Sequence, residues 1–460
     1  MNNNQSETWP YPGSRWWTFD VHTHTPASLD THAWQSALGT AEEVTPERWL
    51  LQYMAAGIDC VAVTDHNTGA WISRLQTAYR QMEEAATRGE APDGFRELTL
   101  FPGVEISVNS GLHLLAIFDP ACAERRVNDL LAVVKYKGTP GDSDGVTQES
   151  AENVVLAVIE AGGIAIPAHA DQDKGLLQVK PDSRSPMLDA HTIRQIIENP
   201  ALLAVEWVDP LLPLPTLVEQ QACKLTRVIG SDCHNFRGQN KPGSRFTWVK
   251  MARPCLEGLR LALLDGEDFS IRRSDAGDFQ PFQTPEHCIT AIEIEQARYM
   301  GNRQTQRLDL SPYYNALIGG RGTGKSTVVH ALRLAYRRAA ELQRLGEATE
   351  PYRQFETFRV PFRQRGGDGA LREETEIRIQ IQRHGNVLRL RWRQDGTGIV
   401  VEELTHDQGW QASDNQSVTK ERFPVRILSQ GQIAAMAGDG RGALLDMIDE
   451  AADLGTQHAR

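Results

Sequence analysis

Seven short apolar runs, set apart by helix-like and loop-like chain, constrain this sequence more than any other feature. They read WTFDV, CVAVTD, LFPGVEI, LHLLAIF, GIAIPAH, LLAVEWV and TRVIGSD, and all lie between Trp17 and about Arg273. Between them PERWLLQYMAAG, WISRLQTAYRQMEEAATRG, AENVVLAVIEAGG and HTIRQIIENPA look helical, and several end in glycine, as a C-cap does. Strands alternating with helices predict a β/α architecture. In a closed β/α barrel the C-terminal strand ends meet on one face, where such folds keep their chemistry. The polar, Gly-, Asp- and Ser-rich segments Lys135–Ser150 and Gln172–Pro186 are expected as loops over a site rather than core.

Histidine accounts for only 13 of the 460 residues, yet most of these runs end in one or in an acid. The first ends Asp20-Val21-His22-Thr23-His24 and the second Thr64-Asp65-His66. The third carries Glu105, the fourth begins at His113, the fifth closes at His169, and the last closes with Ser231-Asp232-Cys233-His234. Alternation along a strand puts His22 and His24 on one side, and likewise Asp232 and His234. Imidazole and carboxylate together suit zinc, manganese or iron, and a bridging glutamate suits a multinuclear site. Any one of these histidines could be an ordinary core or surface residue; it is the series in one register that argues for a site. Asp30 and His32, in the loop after the His-x-His pair, read either as ligands of a third metal or as turn residues.

The series DVHTHT, VTDHNT, GVEIS, HLLAIF, PAHA and IGSDCH resembles the PHP (polymerase and histidinol phosphatase) domain over nearly its whole length. The resemblance implies a distorted seven-stranded β/α barrel with two or three divalent ions (Zn, Mn or Fe). It implies the ligands His22, His24, Asp30, His66, Glu105, His113, His169, Asp232 and His234. Glu105 would bridge metals, and Glu105, Asp232 and His234 would be catalytic. The implied chemistry is phosphoester hydrolysis by an activated water, with no protein nucleophile. Lys174, Arg184 and Arg245 are either substrate-phosphate contacts or solvated loop charges.

A turn-rich linker, 276–286, separates this region, 1–275, from a second, 287–460, of different pattern. There YYNALI reads as a strand before Gly319-Gly320-Arg321-Gly322-Thr323-Gly324-Lys325-Ser326-Thr327, which matches G-x-x-x-x-G-K-[ST], and a long helix follows. Backbone N–H groups of such a loop cradle phosphates, Lys325 reaches the β and γ groups, and Ser326 takes magnesium. Thus Gly319, Gly322, Gly324, Lys325, Ser326 and Thr327 are the candidate ATP contacts. The antiparallel-looking strands EETEIRIQIQ, NVLRLRWRQ and GIVVEEL come next, and a strand-like FPVRIL leads into SQGQ. This order resembles the N-terminal half of SMC-like ABC ATPases, an α+β P-loop lobe that is incomplete here. A PHP domain ahead of such a lobe resembles the TrlF family, suspected in nucleic-acid processing or anti-phage defence.

ILSQGQIAAMAGDGRGALLDMIDE can be an ABC signature followed by Walker B acids Asp449 and Glu450, or a glutamine loop leading to a helix. Asp446 interrupts the would-be Walker B strand and ten residues follow Glu450, so the glutamine loop is the expectation, with Gln430 contacting magnesium and the γ-phosphate. A homodimer, or a C-terminal half not in this chain, would then complete the lobe.

The net charge of −12 excludes a generally basic nucleic-acid coat but not a local channel. Six scattered cysteines without CxxC pairs, a polar start and no bilayer-length apolar run point to a reducing cytoplasm and no membrane. Three functions remain open: an ATP-regulated phosphoesterase acting on DNA or RNA, a small-molecule phosphatase, and a non-catalytic ATP-dependent nucleic-acid sensor.

Overall fold

The structure is a computed structural model that describes residues 9–29, 34, 44–177, 188–219, 225–301, 304–362, 369–438 and 445. Asp30, His32, Arg184, Asp446, Asp449 and Glu450 lie outside the described residues. The chain divides into two compact units, Ser14–Phe282 and Met1–Gly13 with Gln283–Arg460.

The first unit contains β1 (Arg15–Thr23), α1 (Pro46–Ala55), β2 (Cys60–Val63), α2 (Ile72–Thr87), β3 (Thr99–Ser107), β4 (His113–Ile117), α3 (Arg125–Val133) and α4 (Ala151–Glu160). It continues with β5 (Ile164–Pro167), α5 (Ala190–Ile197), β6 (Ala204–Glu206), α6 (Thr216–Glu219), β7 (Thr226–Val228), β8 (Thr247–Met251), α7 (Leu256–Asp265) and β9 (Ile271–Arg273). All seven apolar runs form strands. Helix starts obey local chemistry: Thr45, Ser150 and Asp189 each accept a hydrogen bond from a first-turn N–H.

A mixed sheet of order β5-β4-β3-β2-β1-β8-β9 carries most of the strands, and β6 and β7 pair separately in parallel. The β6–β7 pair bridges the sheet: Ala170 N donates to Glu206 O, and Asp232 N to His22 O. Strands β1 to β7 therefore surround one interior, as in a distorted barrel. The distortion lies in β4, which is antiparallel to both β3 and β5. That reversal brings the first residue of β4, His113, to the face reached by the last residues of its neighbours. Beyond β1, the antiparallel strands β8 and β9 extend the sheet; neither was expected from sequence.

Alternation sorts the core into two layers. Along β2, Cys60 and Ala62 join Phe19, Phe101, Leu115 and Ile166 inside. Val61 and Val63 instead meet Trp49, Leu50, Tyr53 and Leu75 beneath the helices. Along β3, Phe101 faces inward, so the parity also aims Glu105 inward. Along β1 the register shifts between Asp20 and Thr23, and such an irregularity re-aims the side chains that follow it.

The second unit holds β10 (His287–Glu295), β11 (Gln306–Asp309), α8 (Lys325–Ala335), α9 (Ala339–Gln343), α10 (Glu350–Arg359), β12 (Glu376–Arg383), β13 (Asn386–Arg393), β14 (Val401–Thr405), β15 (Gly409–Ala412) and α11 (Gln432–Gly438). Its strands form one six-stranded sheet, β11-β10-β12-β13-β14-β15, antiparallel throughout. Ala331, Leu334 and Ala335 of α8 pack with Ile377, Ile379, Ile381 and Leu390 of that sheet.

Three expectations fail in this unit. YYNALI forms no strand: the sheet's six strands pair only with one another, and Tyr314 and Ile318 are 90% and 95% exposed. Without a neighbour to accept its ladder bonds, the run stays irregular. FPVRIL likewise forms no strand. The long helix after the glycine loop breaks at Tyr336–Arg338, where Arg337 takes a left-handed φ of 54°. Arg338 then turns inward to donate to the Phe423 carbonyl at 3.0 Å.

Candidate functional site

Eight of the nine expected ligands converge in the first unit. Glu105, at the end of β3, is the hub. Its Oε2 lies 3.3 Å from His22 Nε2, 3.4 Å from His24 Nε2 and 3.0 Å from His66 Nδ1. Its Oε1 meets His113 Nδ1 at 2.7 Å and His169 Nε2 at 3.3 Å. Asp232 Oδ1 lies 3.6, 3.3 and 3.5 Å from His22, His24 and His234. The His234 ring stacks on His24, centroids 4.0 Å apart. Two of these residues, His169 and Asp232, hold left-handed backbones with φ of 31° and 51°. Such strain in non-glycine residues persists only where surrounding contacts impose it.

Residues behind these rings set which nitrogen faces inward. His22 Nδ1–H donates to Glu206 Oε2 at 2.8 Å. Glu206 also accepts from His169 N at 2.9 Å and, through Oε1, from Gly230 N at 3.1 Å. His24 Nδ1–H donates to Ser28 Oγ at 2.9 Å, and Ser28 passes its own proton to Asp65 Oδ1 at 2.8 Å. Both Nε2 atoms then present lone pairs, and they face each other at 3.2 Å. Two acceptors at that distance need a proton or a cation between them. His22–His24–Glu105, His24–His66–His234 and His66–Glu105–His113 each gather three ligand atoms within 4.8 Å, a spacing a metal ion can span. The residues present thus fit divalent metals.

For His24 and His113 the electrostatics agree with that fit. Burial, with His234 and His66 beside it, holds His24 well below the usual histidine range. Burial also lowers His113. Both rings are neutral near pH 7, the form that ligates. Burial opposes a charge on His22, but Glu206, Glu105 and Asp232 outweigh it and raise His22 well above its ordinary value. Burial likewise opposes the Glu105 and Asp232 carboxylates, yet the surrounding histidines hold both well down. Asp20 differs: burial pushes it up to about 7. Its Oδ1 accepts from Ser231 N at 2.8 Å.

These groups open onto a cavity of about 440 Å³ that Gln172, Asp173, Lys174, Asn240 and Arg245 also line. Arg245 donates through Nη2 to the Ser231 carbonyl at 2.8 Å, while its Nε is buried without a partner. Gly230 brings the chain against His22, where an added Cβ would sit 2.6 Å from the His22 Cβ and N. Glu206 was not expected as a site residue. Its signal was the same as that of Glu105, an acid inside an apolar strand run.

In the second unit, Gly322 and Gly324 take φ of 82° and 92°, and Gly324 caps α8. Lys325 Nζ donates to the carbonyls of Gly319 and Gly320 at 2.6 and 2.7 Å, so its side chain arches over the loop. Ser326 and Thr327 form the first turn of α8, with Thr327 N donating to Gly324 O at 3.0 Å. Gln430 is exposed. Its neighbour Gln432 is buried instead, accepting from Arg333 Nη2 at 3.0 Å and Ser429 N at 2.9 Å. Arg333 also donates to the Ile427 carbonyl at 2.6 Å, tying the SQGQ segment to the helix behind the glycine loop.

No family model matches the chain, and no curated protein matches it. Among solved structures it aligns with a lesion-specific endonuclease from Pyrococcus furiosus at 14% identity and a TM-score of 0.36, over 60% of this chain and 62% of that one. An endonuclease Q bound to a 27-mer duplex with an abasic lesion aligns at 14% identity and TM-score 0.34, over 54% and 56% of the two chains. A protein from Bifidobacterium adolescentis assigned as a metal-dependent phosphoesterase aligns at 20% identity and TM-score 0.33, over 55% of this chain and 97% of that one. The chain thus spans about three fifths of the endonuclease lengths. Among the described residues no helix is long and apolar enough to cross a membrane.

Proposed function

We propose that the first unit is a metal-dependent phosphoesterase acting on DNA or RNA, and that the second binds ATP with magnesium at its glycine loop and regulates it. One observation carries the hydrolase reading: Glu105 Oε2 meets three imidazole nitrogens at 3.0 to 3.4 Å while Asp232 Oδ1 meets two of the same rings. His22, His24, His66, Glu105, His113, His169, Asp232 and His234 would hold two or three zinc, manganese or iron ions. Divalent cations there supply Lewis-acid activation of water and neutralise charge on the phosphoryl oxygens.

The protein's own groups do the rest. Glu206 and the Ser28–Asp65 pair fix the tautomers of His22 and His24, so neither ring must reorganise when the site fills. Arg245 and Lys174 put positive charge on the cavity wall, where a phosphodiester would seat. An attached nucleotide-binding unit favours a large, processed substrate over a metabolite, in line with the SMC-like and TrlF-like pattern of the sequence. Gly319, Gly322, Gly324, Lys325, Ser326 and Thr327 would cradle the triphosphate, and Gln430, exposed in the structure, is free to reach it.

The test compares hydrolysis of single-stranded DNA, RNA and p-nitrophenyl phosphate with manganese, with and without ATP. Nuclease activity that disappears in the His22→Ala, His24→Ala double variant is expected. Turnover of the small ester alone would replace the nucleic-acid reading with a small-molecule phosphatase. No turnover of any of the three substrates, with manganese or with zinc or iron in its place, would overturn the hydrolase.

A further inference from the structure

A second cluster of metal-ligating side chains lies in the second unit. Glu286, His287 and His384 bring three ligand atoms within 4.8 Å of one another. Backbone pairing sets them there. His287, the first residue of β10, stands opposite Arg383, the last of β12. One step further, His384 N donates to the Glu286 carbonyl at 3.0 Å. His384 then opens the tight turn into β13 with a left-handed φ of 45°, and Gly385 follows at 79°. Two such residues in succession hold a hairpin turn in one shape. The two imidazoles meet edge to face, with ring centroids 4.7 Å apart. His384 Nδ1 lies 3.7 Å from Glu286 Oε2, too far for a hydrogen bond. Among the described residues neither ring nitrogen pair has a hydrogen-bond partner, so the donor atoms are gathered but uncommitted.

Ligand atoms about 2 Å from a zinc ion stand roughly 3.3 Å apart in a tetrahedron. The Glu286 and His384 side chains are 79% and 54% exposed, so small rotations close the remaining gap at little cost in packing. Two imidazoles and one carboxylate suit zinc, whereas magnesium and calcium take six or more ligands, chiefly oxygen. We propose that Glu286, His287 and His384 bind one zinc ion, with water as the fourth ligand. The ion joins the residue that leads into β10 to the turn between β12 and β13. It thereby closes the end of the β10–β12 ladder, at the middle of the six-stranded sheet. This site is separate from the histidines of the first unit, and the inference rests on neither the hydrolase nor the ATP reading.

The test is equilibrium dialysis of the full chain, first stripped with chelator, against buffered zinc, read by metal analysis and by hydrogen exchange at the residue 384 amide. The parent is expected to hold one zinc per chain more than a His287→Gln, His384→Asn double variant; asparagine tolerates the left-handed turn position. Glu286→Gln, which keeps both imidazoles, should weaken that zinc by about tenfold or more. With free zinc at about ten times its dissociation constant, exchange at residue 384 should slow about tenfold in the parent. It should not slow in the double variant, and magnesium should slow neither. Equal zinc content in parent and double variant, or zinc held as tightly by Glu286→Gln, would overturn the proposal. So would exchange at residue 384 that zinc leaves unchanged in the parent, or that magnesium slows equally.

Discussion

Glu206 offers the sharpest test of how the metal site is built, because one carboxylate serves three buried donors. Oε2 accepts from His22 Nδ1 and His169 N, and Oε1 from Gly230 N. Glu206→Gln keeps the shape but replaces one oxygen with an NH2 group. If the amide oxygen keeps His22 and His169, the NH2 faces the Gly230 N–H, donor against donor. The opposite flip leaves two donors without an acceptor. At least one buried donor is orphaned either way, which costs about 1–3 kcal/mol. The charge-assisted bond to His22 also becomes a neutral one, roughly half as strong. A ring less firmly held and less basic should bind metal about 10–100-fold more weakly, or about 1.4–2.7 kcal/mol. The assay is manganese and zinc titration of chelator-stripped protein by calorimetry, alongside guanidinium unfolding of the same stripped protein. A variant with metal affinity within twofold of the parent and an unchanged unfolding midpoint would refute the orienting role.

Gly230→Ala should destabilise the first unit by about 1–3 kcal/mol and lower its metal content, since the new Cβ would lie 2.6 Å from His22 backbone; denaturation midpoints and metal analysis report both. His330, 5% exposed, is pushed down to about 4 by burial and by Arg333. The unfolded chain binds that proton near 6.5 and the folded one near 4, so stability is complete above pH 6.5 and falls as pH drops to 4. The loss should reach about 3 kcal/mol, and His330→Leu should flatten that part of the stability–pH curve. Arg333→Met should free the 427–432 segment and cost roughly 3 kcal/mol by leaving the Ile427 carbonyl without its buried donor and Gln432 Oε1 with Ser429 N alone. Hydrogen exchange at Ser429 and Gln432 measures it, and protection equal to the parent would show that other contacts hold the loop.

Much of the first unit was legible in the sequence because its signals are local. An apolar run bounded by turn residues forms a strand wherever it finds a partner, and all seven such runs found one. Period-two alternation read from the sequence pairs His22 with His24, whereas Asp232 and His234 lie beyond the end of β7, outside any strand. The tertiary structure decided what no local pattern encodes. The reversed strand β4 makes His113 an end-of-barrel residue at the beginning of its strand. Positive φ at His169 and Asp232 aims those side chains, and it arises from contacts made far along the chain. Glu206 gains its role only because β6 lies beside the ends of β1, β5 and β7, joining residues 184 positions apart. The second unit shows the converse limit. YYNALI and FPVRIL have strand composition, yet a strand exists only by pairing, and among the described residues no neighbouring edge pairs with either run. Composition proposes an element; partners in space determine whether it forms.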